Sequence, residues 1–395
     1  MVIAVRRWSW YRVVLVAAFA ICGDRPAPTP AQTRVDTVGG VVHVWNSSSG
    51  AWGRDVPWSV AEILRIGAPS GPPEELFSGP LLTTALGTNG SIYVLDSDAD
   101  QITVFDTLGT FVRRVGGPGQ GPGEFAAPSA MTWDGYGRLW VANGFDGRYS
   151  IFTSDGGFVR TERRPTHAIS RRQHRLVYRN GGAIVDEAPR WPTVWFLSVD
   201  TAGGRVDTLG ALQQPTLSRA VLDVRIPPGG KFQQFVRSYL RRNHWTLGSD
   251  GSLWMVESGE LRLVQRALDG DTIRVVHTEH RRRDLTRAER RMVRAALAEV
   301  DLDRGDVEVV RPIVQGIHVL DDGHVLVQIE EEVGEDSSVF DVFSPQGVFL
   351  GTLDFGFAPA PTGVMTFHGD TILAPTLGAW DVPYVVRAVI RRGHG

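Results

Sequence analysis

The chain has 395 residues, with 41 basic and 44 acidic side chains and a formal net charge of −3. This balance excludes a protein whose main task is to coat nucleic acid, because neutralising phosphates requires a basic excess. Hydrophobic residues make up 42% of the chain, which is enough for a large buried core and too much for general disorder. Glycine (45 residues) and proline (23) are abundant, which predicts many turns and short elements instead of long helices.

Residues 1–33 are typical of an export signal followed by a Pro-rich lead. Three arginines precede an apolar run of nine residues, Val13 to Ile21, which is too short to span a bilayer. Cleavage before Gln32 would release the chain, whereas Cys22, directly after the run, resembles a lipoprotein cysteine that would carry a lipid anchor. We expect a periplasmic or cell-envelope protein with no transmembrane segment in the mature chain. Both outcomes, release of the chain and lipid anchoring at Cys22, stay open.

Internal repeats predict the fold. The sequence GSIYV at 90–94 recurs as GRLWV at 137–141, and the alignment continues downstream without a gap. It ends in a Phe-x3-Gly-x-Phe pattern that closes a third strand and opens a fourth through a Gly-centred turn. Copies of this pattern stand at Phe105, Gly109 and Phe111; at Phe152, Gly156 and Phe158; at Phe343, Gly347 and Phe349; and, degenerate, at Val199, Gly203 and Arg205.

Six such four-stranded antiparallel units can be placed along the chain. Each has an apolar second strand, which indicates a sheet buried on both faces. These strands are predicted at Ile92 to Leu95, Leu139 to Ala142, Ala183 to Val185, Leu253 to Val256, Val325 to Val327 and Thr371 to Leu373. The turns before them contain Gly90, Gly137, Gly182, Gly251, Gly323 and Gly369. Since one such sheet cannot bury both faces alone, radial stacking into an all-β, six-bladed propeller over residues 34–395 follows.

The ends of the chain supply an independent check on that count. After the sixth second strand only one more strand is present, Val382 to Arg391, so the last unit lacks its outer strand. Ser59 to Gly67 resembles an outer strand but has no unit before it. We therefore expect this N-terminal strand to complete the last blade and close the ring, which removes an open sheet edge.

The segment GQGPGEF at 119–125, followed by Pro128 and by DGYGRLWV at 134–141, resembles the linker and blade of NHL-repeat and related exported bacterial six-bladed propellers. The resemblance is strongest over residues 80–163. It implies the fold and leaves activity open, because that family includes enzymes, binding modules and exported proteins of unknown role.

Two insertions between blades carry helical patterns. Residues 229–243 place apolar side chains along one stripe, and residues 284–300 begin with a capping box formed by Thr286 and Glu289. Met292, Val293, Ala296, Leu297 and Val300 lie on one side of the second helix. We expect both helices to pack on one rim, either as simple decoration or as a lid or partner surface.

Candidate binding residues are few, and each has an ordinary structural interpretation. Asp96, Asp98 and Asp100 resemble the start of a calcium loop, but the glycine and glutamate that an EF-hand needs are absent, so a hairpin turn is favoured. We expect two charged stretches to be solvated loops. The acidic one, which could instead hold a cation, comprises Glu330, Glu331, Glu332, Glu335 and Asp336. The basic one, which could instead meet an anionic polymer or lipid head groups, comprises Arg160, Arg163, Arg164, Arg171, Arg172 and Arg175 with His167 and His174.

Three histidines in or beside predicted first strands, His244, His318 and His368, could converge on the propeller axis as metal ligands. No HxH or HExxH spacing, nucleophile elbow or phosphate loop accompanies them. We predict a monomeric, non-catalytic propeller that binds a protein or glycan through rim loops, without a cofactor and without nucleic acid. The alternative is a lyase or lactonase with a divalent metal, Ca or Zn, on the axis.

Overall fold

The computed structural model describes residues 33–53, 56–80, 82–144, 147–164, 176–179, 182–190, 193–213, 243–248, 250–257, 261–279, 284–301, 313–329, 337–360 and 363–393. These residues form 26 strands and one α-helix. Three strands precede the first repeat: β1 (Thr33–Val38), β2 (Val41–Asn46) and β3 (Trp58–Ile66). The predicted export signal and Cys22 lie outside the described residues.

The remaining strands form six sheets, named blades I to VI in chain order. Blades I to III comprise β4 (Leu82–Leu86), β5 (Ile92–Asp96), β6 (Gln101–Phe105) and β7 (Phe111–Val115); β8 (Pro128–Trp133), β9 (Leu139–Asn143), β10 (Arg148–Phe152) and β11 (Phe158–Arg163); and β12 (Leu176–Arg179), β13 (Ala183–Arg190), β14 (Thr193–Asp200) and β15 (Val206–Gln213).

Blades IV to VI comprise β16 (Asn243–Leu247), β17 (Leu253–Glu257), β18 (Arg262–Arg266) and β19 (Thr272–Thr278); β20 (Val314–Val319), β21 (Val325–Ile329), β22 (Val339–Phe343) and β23 (Phe349–Asp354); and β24 (Thr366–His368), β25 (Thr371–Leu377) and β26 (Pro383–Arg392), with β3 as the fourth strand. The predicted six-bladed β-propeller is confirmed, and every predicted second strand lies within β5, β9, β13, β17, β21 or β25.

The turn glycines have the backbone conformation that the repeat predicts. The six glycines before the second strands all have positive φ, for example 83° at Gly90 and 87° at Gly323. Gly109, Gly156 and Gly347 of the Phe-x3-Gly-x-Phe pattern do as well. The degenerate copy in blade III is different. There the positive φ (65°) belongs to Gly204 and not to the predicted Gly203, because β14 runs on to Asp200.

Ring closure is confirmed strand by strand. β3 pairs antiparallel with β26, with Ile66 opposite Val385 and Leu64 opposite Arg387. Ile66 and Val385 are buried in one apolar cluster with residues of blade I, including Leu82. The N-terminal strand therefore completes blade VI and also packs its side chains against the neighbouring blade.

A second N-terminal attachment was not expected from the sequence. The β1–β2 hairpin joins the outer edge of blade IV, where β2 pairs with β19 in parallel and makes this sheet mixed and six-stranded. Between the two attachments, the Ala51 and Trp52 amides donate to carbonyls of blade V at 3.1 and 2.7 Å. Residues 33–66 thus contact the outer strands of three consecutive blades.

The helix of the second insertion, α1, spans Arg287–Ala298. Its capping box is formed as predicted, since the Thr286 side chain accepts from the Glu289 amide and the Glu289 carboxylate accepts from the Thr286 amide. Val293, Ala296 and Leu297 are buried. The helix predicted over 229–243 falls outside the described residues except Asn243, which begins β16. Among the residues that the structure describes, no helix is long and apolar enough to cross a membrane.

Candidate functional site: the axial cavity

The innermost strands of the six blades, β4, β8, β12, β16, β20 and β24, surround a cavity of about 530 Å³ on the propeller axis. The lining also includes residues of the tight turns that follow four of these strands, namely Thr88, Asp134, Gly248 and Asp321. We call the end of the propeller formed by these turns the turn face. The cavity therefore extends along the axis as far as the turn face.

Hydroxyl groups are the commonest polar groups in the lining, with Thr83, Thr84, Thr88, Thr132, Thr246, Thr366 and Thr371 among its residues. The hydroxyls of Thr84 and Thr366 lie 2.9 Å apart and link blades I and VI. Thr83 is 3% exposed, and its Oγ1 has no hydrogen-bond partner among the residues that the structure describes. A buried hydroxyl without a partner is uncommon, since buried polar groups are nearly always hydrogen-bonded.

Aromatic side chains supply much of the apolar lining. Trp133, Tyr178 and Phe367 come from three different blades. The Trp133 ring packs edge-on against Tyr93 at 5.0 Å between centroids, while its buried Nε1–H has no acceptor within the described ranges. The lining thus combines aromatic surface with two residues, Trp133 and Thr83, whose buried N–H and hydroxyl groups have no hydrogen-bond partner among the described residues.

The carboxylates in the lining are already engaged within the protein. Asp134 forms an ion pair with Arg138 at 2.7 Å and accepts a hydrogen bond from the Trp140 indole at 2.8 Å. The Asp321 carboxylate accepts from the Gly369 amide at 2.6 Å. A ligand group that used either carboxylate would therefore compete with these contacts.

The three candidate axial histidines are only partly brought together. His318 and His368 line the cavity, on β20 and β24, whereas His244 does not. The His318 ring is 8% exposed and lies 5.0 Å from the Phe367 ring. Within the described part of the chain, no group of three or more His, Cys, Asp or Glu side chains is placed to hold a metal ion. The lining of the cavity is a mixture of polar and apolar side chains.

The aspartates after β5 form a hairpin turn, as the favoured interpretation predicts. The Asp96 carboxylate accepts from the amides of Ser78 at 2.6 Å and of Asp98 and Ala99 at 3.1 Å each. Burial raises the pKa of Asp96, although these three hydrogen bonds oppose the shift. Its oxygens stabilise the turn and the preceding loop. The acidic stretch at 330–336 lies outside the described residues.

The basic stretch is not uniformly solvated, so that prediction is wrong for Arg164. This side chain is fully buried and pairs with Asp186 of blade III through two hydrogen bonds of 2.7 and 2.8 Å. The Tyr149 hydroxyl donates to the same carboxylate at 2.6 Å. Burial and the Asp186 charge raise the pKa of Tyr149 well above its ordinary value, so this group stays protonated.

Arg160 is half-exposed and pairs with Glu162 at 2.7 Å. Arg171, Arg172, Arg175, His167 and His174 lie outside the described residues. Sequence reasoning missed the contact between Arg164 and Asp186 because the two residues are 22 positions apart and belong to different blades. The only available signal was an acidic residue directly after the apolar run Ala183 to Val185.

Comparison with known proteins supports the fold. Residues 83–160 match a family model described as a 6-bladed beta-propeller, DUF5128. The chain matches no curated protein. A solved protein of Bacteroides fragilis that is named as an exported protein superposes with a TM-score of 0.51 at 11% identity, covering 89% of this chain and 100% of that one.

Two further solved structures superpose less closely. A member of the duf4221 family from Bacteroides vulgatus has a TM-score of 0.47 at 10% identity, with 85% of this chain and 99% of that chain covered. An inactive variant of virginiamycin B lyase from Staphylococcus aureus has a TM-score of 0.41 at 12% identity, with 91% and 99% covered. At such identities the similarity concerns architecture alone. By its strand topology and its matched segment, this chain is a six-bladed β-propeller.

Proposed function

We propose that the chain is an exported, non-catalytic binding propeller that recognises a neutral glycan through its axial cavity and the turns of the turn face. The observation that carries the proposal is the lining of the cavity, which combines hydroxyls, aromatic rings and two buried hydrogen-bonding groups without a partner in the described part of the chain. A protein ligand is the second class expected from the sequence. The cavity favours the glycan for the reasons given below.

A sugar ring presents hydroxyl groups at its edge and C–H groups on its faces. The hydroxyls of the cavity can exchange hydrogen bonds with that edge, while Trp133, Tyr178 and Phe367 can pack against the apolar faces. A sugar oxygen would accept from the Trp133 Nε1–H, and a sugar hydroxyl would pair with Thr83 Oγ1. The volume of about 530 Å³ lies within the range of small-molecule sites and suits a terminal sugar or disaccharide.

The test is a binding screen of the purified protein against neutral oligosaccharides of glucose, mannose and N-acetylglucosamine, followed by calorimetry on the best binder. Trp133→Phe keeps an aromatic ring but removes the N–H, and Thr83→Val removes the hydroxyl at nearly constant shape. Each is expected to weaken binding about tenfold, the effect of one lost hydrogen bond. Trp380→Phe is the matched control, because this indole is 95% exposed and does not line the cavity.

Either of two results would contradict the proposal. One is the absence of binding to every neutral glycan; the other is a bound glycan whose affinity is equally unaffected by Trp133→Phe and Trp380→Phe. Binding of a protein instead, identified by crosslinking from the turn face, would leave the fold assignment intact and replace the ligand class.

The metal-dependent lyase or lactonase remains the competing proposal, since His318 and His368 share the cavity. Elemental analysis of the purified protein for Ca and Zn separates the two hypotheses. The binding proposal expects no stoichiometric metal and a melting temperature that EDTA does not change. Stoichiometric metal that is lost together in His318→Ala and His368→Ala would favour the enzyme.

A further inference from the structure

Strand β1 is an exposed edge. It occupies one end of the six-stranded sheet, and its inner side pairs with β2 over six residue pairs without a register shift. All six of its residues are exposed, with Val35 at 59% and Val38 at 65%. In the described part of the chain, no strand pairs with its outer side.

Natural proteins usually protect such edges with charged side chains, especially lysine, or with proline, a β-bulge or a covering loop. The sequence of β1, Thr-Arg-Val-Asp-Thr-Val, contains no proline and no lysine, and its pairing with β2 has no bulge. Its unpaired backbone N–H and C=O groups are therefore available to another strand.

The side chains of β1 specify which strand would fit. Alternation places Arg34 and Asp36 on one face and Thr33, Val35 and Thr37 on the other. Arg34 and Asp36 pair with each other at 2.9 Å, and the Arg34 guanidinium lies over the Trp45 ring at 5.0 Å. Trp45 in turn stacks on His277 of blade IV at 3.7 Å. The charged face of the edge is thus held in place by the sheet behind it.

We propose that β1 pairs antiparallel with β1 of a second copy of this chain, about a two-fold axis at Val35. In this register Arg34 lies opposite Asp36 of the second copy, Val35 opposite Val35, and Thr33 opposite Thr37. Each cross-strand pair is of a favourable type: opposite charges, β-branched apolar side chains, or two threonines. The two-fold operation satisfies both Arg–Asp pairs at once.

Two neighbouring registers also keep the charged faces of both strands on the same side of the sheet, but these registers are unfavourable. If the second copy of β1 slides by two residues in one direction, Arg34 lies opposite Arg34 of the other copy. If it slides by two residues in the other direction, Asp36 lies opposite Asp36. Like charges directly opposite each other destabilise a strand pair. The sequence of β1 therefore selects one register for self-pairing. The resulting dimer differs from the monomer expected from composition and repeats.

One pair of short strands is a small interface, so a weak dimer is expected, with a dissociation constant roughly in the micromolar range or above. The protein, purified after export, is measured by sedimentation velocity over a concentration series. Arg34→Asp or Asp36→Arg alone places like charges across the axis and should weaken dimerisation at least tenfold. The double variant, which exchanges the two charges, recreates complementary pairs and should restore it to within about threefold of wild type.

Arg205→Asp is the matched control. Arg205 and Asp207 form a similar exposed pair at 3.2 Å, at the outer strand of blade III, and reversal there should leave dimerisation unchanged. Amide exchange in residues 33–38 of the wild-type protein should also slow as concentration rises, which tests the contact without any substitution. The proposal is overturned if the wild-type protein remains monomeric, if single reversals have no effect, or if the charge exchange fails to rescue.

Discussion

Strand β3 and the β1–β2 hairpin belong to one stretch of chain, and both add to the outer edge of a blade. β3 supplies the missing fourth strand of blade VI, and its Ile66 is 3% exposed among residues of blades VI and I. The hairpin extends blade IV, which already has four strands, and of its residues only Val44 and Asn46 are buried. β3 has one buried residue as well, so β2 and β3 each contribute a side chain to the apolar core, whereas β1 contributes none and leaves an unpaired outer edge in the described part of the chain.

The largest expected difference is between two isoleucines of β3. Ile66→Ala removes a buried side chain from the closure and should lower the free energy of unfolding by about 2 to 5 kcal/mol. Ile63→Ala, three residues earlier on the same strand at 50% exposure, should change it by about 0.5 kcal/mol or less. Urea unfolding followed by tryptophan fluorescence measures both. Equal effects would mean that β3 is not held by burial.

A substitution in blade V, which lies between blades IV and VI, should instead raise the free energy of unfolding. Burial raises the pKa of Asp341 to about 6, although the Thr352 hydroxyl donates to it. The folded state then holds the proton more tightly than the unfolded state, so stability falls as pH rises from about 4 to about 6 and stays low above that.

Asp341→Asn removes this ionisation and should raise the free energy of unfolding near pH 7.5 by about 1 to 3 kcal/mol, with little change near pH 4. Unfolding curves at the two pH values measure the difference. A variant that is less stable than wild type at both would show that the carboxylate stabilises blade V.

One buried side-chain amide reinforces the backbone pairing that attaches the hairpin. Asn46 donates to the Gly347 carbonyl at 3.0 Å and accepts from the Phe349 amide at 2.9 Å, which fastens β2 to blade V. Asn46→Ala leaves both backbone groups unsatisfied and should cost about 1 to 3 kcal/mol. Exposed Ser48→Ala is the control and should be neutral within about 0.5 kcal/mol. If hydrogen exchange shows β2 equally protected in both variants, Asn46 does not hold the hairpin.

The smallest expected effect concerns pH at the junction between hairpin and blade IV. His43 Nδ1 and His277 Nε2 lie 3.1 Å apart, and burial, with help from His43 and Arg262, lowers the pKa of His277. The unfolded chain therefore takes up this proton first as pH falls through about 6.5, so the contribution of the junction is lost towards acid.

His277→Phe keeps a ring against Trp45 but cannot be protonated. Between about pH 7.5 and pH 5.5, the urea midpoint of this variant should fall less than that of the wild-type protein. The same fall in both would mean that other groups control the acid response. Replacement of exposed His368 by Phe provides a control for the loss of a histidine elsewhere.

The repeat could be recognised from the sequence because each of its turns and strands is defined by a few consecutive residues. Gly90 and Gly137 mark turns that need positive φ, and the strands that follow them are apolar over their first four residues. Ring closure could be predicted as well, since the last blade lacked a strand and an unassigned strand remained near the start. Blade III was less regular because its β14 is longer, which shifted the turn glycine by one residue.

The sequence by itself thus determined the blade number, the turns, the closure and the capped helix α1, because local burial patterns and turn chemistry are written into short segments. Only the tertiary structure decided where the β1–β2 hairpin attaches, that Arg164 is buried against Asp186, and which side chains line the axial cavity. Those contacts join residues from separate blades, such as Asn46 and Gly347, which are 301 positions apart. A pattern within one segment carries no information about a partner that far along the chain, and it is packing of the whole ring that brings the two together.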